Sequence, residues 1–154
     1  MSQPRPVAVI VLAAGEGTRM RSRIPKVLHP VCGRSMLGHA LAAAGGLGPQ
    51  RLVVVAGHGR VQVSAEAVRL APGVRVVVQD RLGGTGHAVR TVTEALGVMP
   101  GIVVVTYGDM PLLRARTLAL LVREHAAAGN AVTVLTARVP EPHGYGRVLS
   151  LIHI

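Results

Sequence analysis

Apolar residues gather along this 154-residue chain into five short runs. They are Val7–Ala14 (VAVIVLAA), Arg51–Gly57 (RLVVVAG), Val74–Gln79 (VRVVVQ), Gly101–Gly108 (GIVVVTYG) and Ala131–Val139 (AVTVLTARV). Most are continuous rather than alternating, which predicts strands covered on both faces. Helical spacing fills the intervals Ser35–Leu47, Arg60–Leu70, Gly84–Leu96 and Arg114–Ala128. These segments stop at Gly45, Pro72, Gly97 and Gly129-Asn130, residues that ordinarily end helices. Strand and helix in alternation predict an α/β fold, a mainly parallel sheet with helices on both faces. Ligands of such sheets bind beyond the carboxyl ends of the strands, so chemistry is sought in the loops that follow them.

The loop after the first strand, GEGTRMRSRIPK, carries Gly15 and Gly17, then Arg19, Arg21, Arg23 and Lys26. It is not the dinucleotide fingerprint, because Met20 stands where a third glycine belongs, and it lacks the Gly-Lys-Ser/Thr ending of a Walker A loop. Backbone N–H groups of such a turn can cradle phosphate oxygens, with Arg19 and Lys26 adding charge. A solvated loop is the alternative. Asp109, after the fourth strand in YGDMP, is placed to hold Mg²⁺, which takes few carboxylates and shares substrate phosphates. Its plainer reading is a helix cap. After the third strand, QDRLGGTGHA offers Gln79, whose amide can pair with the edge of a base, and Gly83, Gly84, Thr85 and Gly86 at a helix start. That glycine-rich link needs no ligand to explain it, and His87 reads as a helix-face residue rather than a metal ligand. HGYGR, residues 143–147, is either backbone held close to a ligand or a tight bend.

Composition narrows the classes. With no Trp or Phe, and Tyr107 and Tyr145 as the only aromatics, the core is built from Val, Leu, Ile and Ala. The same scarcity argues against base stacking on single-stranded nucleic acid. The net charge of +10 suits acidic partners, although Arg-rich composition bias explains such a total equally well. Cys32 is the single cysteine, which leaves no intrachain disulfide and no cysteine zinc site and suits a reducing compartment; its expected role is a small buried side chain. The apolar run near the N-terminus is too short to span a bilayer, so a soluble, cytoplasmic protein is expected.

Taken together, LAAGEGTRM, PKVLHPVCGRSML, GGTGHAV, YGDMPLL and HGYGRV resemble the uridylyltransferase domain of the bacterial bifunctional N-acetylglucosamine-1-phosphate uridylyltransferase/glucosamine-1-phosphate acetyltransferases. The likeness runs from Val7 to Arg147, with the motifs in order. It implies a Rossmann-like fold of the nucleotide-diphospho-sugar transferase type, and Mg²⁺-dependent transfer of UMP from UTP to N-acetylglucosamine 1-phosphate. By that resemblance Leu12, Ala13, Ala14, Gly15, Gln79, Gly84 and Thr85 would hold the uridine nucleotide. Arg19 and Lys26 would be catalytic, offsetting phosphate charge, and Asp109 would bind the metal. Tyr107 and Gly108 would line the nucleotide-sugar site, and Gly146 would meet the sugar. It also implies that residues 1–149 form part of a truncated nucleotidyltransferase domain, and that 150–154 depart from the family's charged continuation. The β-helix acetyltransferase domain, and the Glu and Asn residues that complete the sugar and metal contacts, would lie outside this chain. A family trimer, which depends on that β-helix, is not expected, nor is a nucleic-acid or membrane partner. The rival readings are a sister enzyme using another sugar phosphate or CTP, a nucleic-acid-binding module, and a non-catalytic nucleotide-binding fragment.

Overall fold

A computed structural model describes residues 4–81, 83–141 and 143–144. In chain order the strands are β1 (Ala8–Ala13), β2 (Pro30–Val31), β3 (Arg34–Ser35), β4 (Arg51–Ala56), β5 (Arg75–Val78) and β6 (Val103–Tyr107). The helices are α1 (Met36–Gly45), α2 (Arg60–Leu70), α3 (Gly84–Leu96) and α4 (Ala115–Ala128). The principal sheet runs β5-β4-β1-β6 and is parallel throughout. From β1 the chain steps outward through β4 to β5, then returns to lay β6 on the other side of β1. The order therefore reverses at β1, where such sheets open a crevice for ligands.

Central position explains the unbroken apolar run of β1: Ala8, Val9, Ile10 and Val11 are all fully buried. Val9, Val11 and Ala13, with Val54 and Ala56 of β4, face a layer made by α1, α2 and α4 through Leu37, Val63, Ala67, Leu118 and Val122. Ile10, Val53, Val55 and Val77 face the opposite side, covered by Ala88 and Val92 of α3. Period-two alternation and parallel register supply both cores from the same strands. Ser35 caps α1, accepting the Gly38 N–H at 3.2 Å, and donates its own proton to Glu66 Oε1 at 3.0 Å. The Arg69 guanidinium, bonded to the same carboxylate at 2.8 and 3.0 Å, holds Glu66 below the usual carboxylate range against the opposing effect of burial.

Two expectations fail. Residues 131–139 form no strand, and Val132, Val134, Leu135 and Val139 are exposed. The β-branched sequence has strand propensity, but a strand exists only against a paired edge, and no ladder reaches this segment among the described residues. Cys32, expected to be buried, is exposed. It sits with Gly33 at the tip of the β2–β3 hairpin, both with positive φ (49° and 77°). Positive φ at both central residues is what a two-residue hairpin turn demands, so geometry rather than packing fixes the cysteine. The spacing did not announce this hairpin.

Candidate functional site

Beyond the carboxyl ends of β1, β5 and β6 lies a cavity of about 400 Å³. The end of β1 supplies Leu12, Ala13, Ala14 and Gly15 to its wall, and the loop that follows supplies Gly17, Thr18, Arg19, Met20 and Lys26. Gln79 enters after β5, Gly84, Thr85 and Ala88 from the first turns of α3, and Tyr107 and Asp109 from β6 and its end. Residues from opposite ends of the sequence thus meet through strand order alone. Gly108 does not line the wall: its N–H donates to the Leu12 carbonyl at 2.8 Å, closing β6 onto β1. Gly146 lies outside the described residues.

The two loop glycines have different reasons to be glycine. A Cβ on Gly15 would meet nothing within 4 Å, so the backbone there is open to a ligand. Gly17 has φ +63°, and a Cβ there would come within 2.6 Å of Lys26 Cβ. It serves the close passage of the Lys26 stem as well as the turn. Lys26 opens a one-turn 3-10 helix behind Pro25, and Pro25 in turn packs so tightly on Gly59 that a Cβ at Gly59 would lie 2.4 Å from its ring.

Lys26 Nζ donates to Asp109 Oδ2 at 2.6 Å, with the two side chains 33% and 32% exposed. This charge-assisted bond joins the first-strand loop to the fourth-run motif across the cavity. Asp109 is the single carboxylate on the wall, and no cluster of three or more potential ligands occurs among the described residues. The arrangement cannot cage a bare cation, but one carboxylate beside two cations suits a hydrated Mg²⁺ shared with ligand phosphates. On the far wall, α3 begins at Gly84 behind Gly83, with no side-chain cap and no acidic residue in its first turn. Its leading N–H groups are left for a ligand or water. Gln79 is buried, and its Nε2 donates to the Gly84 carbonyl at 3.3 Å and to His87 Nδ1 at 2.8 Å. Thr18, Met20, Val27 and Ala88 also line the wall; they lie within the quoted motifs, but the sequence gives none of them a role of its own.

The matches to known proteins agree with this geometry. Residues 9–151 match the MobA-like NTP transferase domain. The chain belongs to that family. Among curated relatives, the Bifunctional protein GlmU of Streptomyces coelicolor is 59% identical over 150 residues, covering 97% of this chain and 31% of its own length. The protein of the same name from Thermobifida fusca is 58% identical over 153 residues, covering 97% and 32%. The chain thus spans about a third of the length of the curated relatives it matches. Among solved structures, a nucleotidyl transferase from Methanothermobacter superposes with a TM-score of 0.63 at 30% identity, over 77% of this chain and 56% of that one. A Mycobacterium tuberculosis protein solved as a complex with manganese gives 0.59 at 27%, over 80% and 59%. The Rossmann-like parallel sheet flanked by helices is the fold of nucleotidyltransferases. No helix among the described residues is long and apolar enough to cross a membrane.

Proposed function

We propose that this NTP transferase domain binds UTP with Mg²⁺ and N-acetylglucosamine 1-phosphate in the β1–β5–β6 cavity. It transfers UMP to the sugar phosphate, giving UDP-N-acetylglucosamine and pyrophosphate. The observation that carries the reading is the Lys26–Asp109 pair on a cavity wall that also holds Arg19, the open Gly15 backbone and Gln79. The likeness to proteins named GlmU supports uridylyl transfer in particular.

In this reading a sugar-phosphate oxygen attacks the α-phosphorus of UTP in line. A new P–O bond forms as the α–β phosphoanhydride bond breaks and pyrophosphate leaves. The nucleophile is already ionised, so no general base is needed, and catalysis is alignment and charge neutralisation. Arg19 and Lys26 take the negative charge that shifts toward the leaving group. Leu12–Gly15, Gln79, Gly84 and Thr85 position the nucleoside, and Tyr107 and Gly146 belong to the nucleotide-sugar side, while Gly108 serves the site by closing β6 onto β1 through its bond to Leu12. Asp109 would hold Mg²⁺, which when bound neutralises phosphate charge. A cytoplasmic setting, where these substrates occur, completes the reading.

Thermal unfolding with Mg²⁺ and UTP, CTP or ATP tests it. A ligand at one hundred times its Kd stabilises by about 2.7 kcal/mol. In a domain of this size that raises Tm by roughly 5–10 °C. UTP is expected to give the largest rise. A Tm that responds to none of the three, or equally to all, overturns the uridine assignment.

A further inference from the structure

The buried Gln79 amide has a decided orientation. Its Nε2 lies 3.3 Å from the Gly84 carbonyl, a group that can only accept, so the atom facing it must be the nitrogen. The same nitrogen lies 2.8 Å from His87 Nδ1, which must then be the unprotonated ring nitrogen. Both amide hydrogens are spent on these two partners. The Oε1 atom has no partner among the described residues, and it is what Gln79 has left to offer in the cavity it lines.

His87 itself is held by close packing. A Cβ on Gly83 would lie 2.6 Å from His87 Cγ and 2.7 Å from its Cβ, so the bare glycine makes room for the ring. Gly83 has φ −96°, a conformation open to any residue; the constraint is the ring and not the turn.

We propose that His87 is a positioning residue that locks Gln79 acceptor-outward, so that the site selects a base carrying a ring N–H, uracil, over one carrying a bare ring nitrogen, cytosine. Uracil presents N3–H between two carbonyls; cytosine presents a lone pair at N3. An oxygen set against that position gains a hydrogen bond with the first and meets repulsion with the second. Without His87 one amide hydrogen loses its partner, and only the longer Gly84 contact opposes rotation of the amide. This inference rests on the uridine reading above.

The test is calorimetric titration of the Mg²⁺ complexes of UTP and CTP into the wild type, His87→Leu, His87→Asn and Gly83→Ala. Leucine keeps bulk and removes the acceptor. Asparagine keeps an acceptor one bond beyond Cγ, where Nδ1 stood. Alanine at 83 displaces the ring while leaving both hydrogen-bonding partners chemically intact. His87→Leu and Gly83→Ala are each expected to weaken UTP about tenfold and to narrow the UTP-to-CTP affinity ratio by about three- to tenfold, as loss of one buried bond would. His87→Asn is expected to keep the wild-type ratio. An unchanged ratio in folded His87→Leu or Gly83→Ala overturns the positioning role, as does a ratio narrowed equally in His87→Asn. A wild type that does not prefer UTP overturns the uridine reading itself, a separate and recognisable failure.

Discussion

Replacing Lys26 with methionine removes the cation from Asp109 and keeps most of the stem that packs on Gly17. At the observed 2.6 Å, two unit charges attract by about 6 kcal/mol at an effective dielectric of 20. Both side chains are about one-third exposed, so hydration and side-chain entropy cancel most of this and leave about 1–2 kcal/mol net. On the proposed metal role of Asp109, a divalent ion entering the nucleotide-free domain would have to offset that amount to take the carboxylate from Lys26. Lys26→Met is therefore expected to bind Mn²⁺ about five- to thirtyfold more tightly than the wild type when no nucleotide is present. Electron paramagnetic resonance of free Mn²⁺ during a titration measures this directly. On the proposed function turnover is expected to move the opposite way, falling about 100-fold or more, because the variant lacks the cation that would meet the triphosphate. Asp109→Asn is the control and is expected to lose Mn²⁺ affinity. Equal or weaker Mn²⁺ binding by Lys26→Met would refute the argument that the lysine and the metal compete for one carboxylate.

Gly17→Ala combines a left-handed φ with a 2.6 Å approach to Lys26 Cβ, so it is expected to cost about 1–3 kcal/mol in urea denaturation and to lower turnover further than that loss of stability explains. Leu37→Ala empties a fully buried position on the core face of α1 and is expected to cost about 2–5 kcal/mol, read from the urea midpoint at unchanged m-value. Because the Glu66 carboxyl is depressed in the folded state, its bonds to Arg69 and Ser35 stabilise the domain at neutral pH. That contribution is lost as pH falls below 4.5 and through the lowered folded value. Urea midpoints between pH 7 and pH 3 are expected to fall less steeply in Glu66→Gln, and an identical acid slope would remove Glu66 as a contributor.

Local pattern carried much of this fold. The helices Arg60–Leu70 and Gly84–Leu96 have the bounds their spacing predicts. Four apolar runs became strands, each trimmed where its end leaves the ladder. The motifs after the strands also named most of the cavity wall, because a parallel sheet gathers the residues that follow its strands at one edge. Gln79, Asp109 and the first-strand loop were thus legible as candidates from the chain alone.

What the sequence could not decide depends on partners distant along the chain. The Ala131–Val139 run has the same β-branched character as the strands that formed, but pairing is a property of two segments, and periodicity reports only one. Cys32 looked like a small core residue until the β2–β3 pairing placed it at a turn tip. Along the chain Lys26 and Asp109 are two separate charges; only the β1–β6 register brings them to 2.6 Å across 83 residues. Helical spacing alone gives His87 no distinction; the turn from β5 into α3 sets its ring against Gln79. The sequence by itself determined the four strands of the parallel sheet, the helices between them and the kinds of chemistry at their ends. Tertiary structure alone decided which of those groups touch, because contact energies fall away within a few ångströms while sequence order constrains distance only loosely.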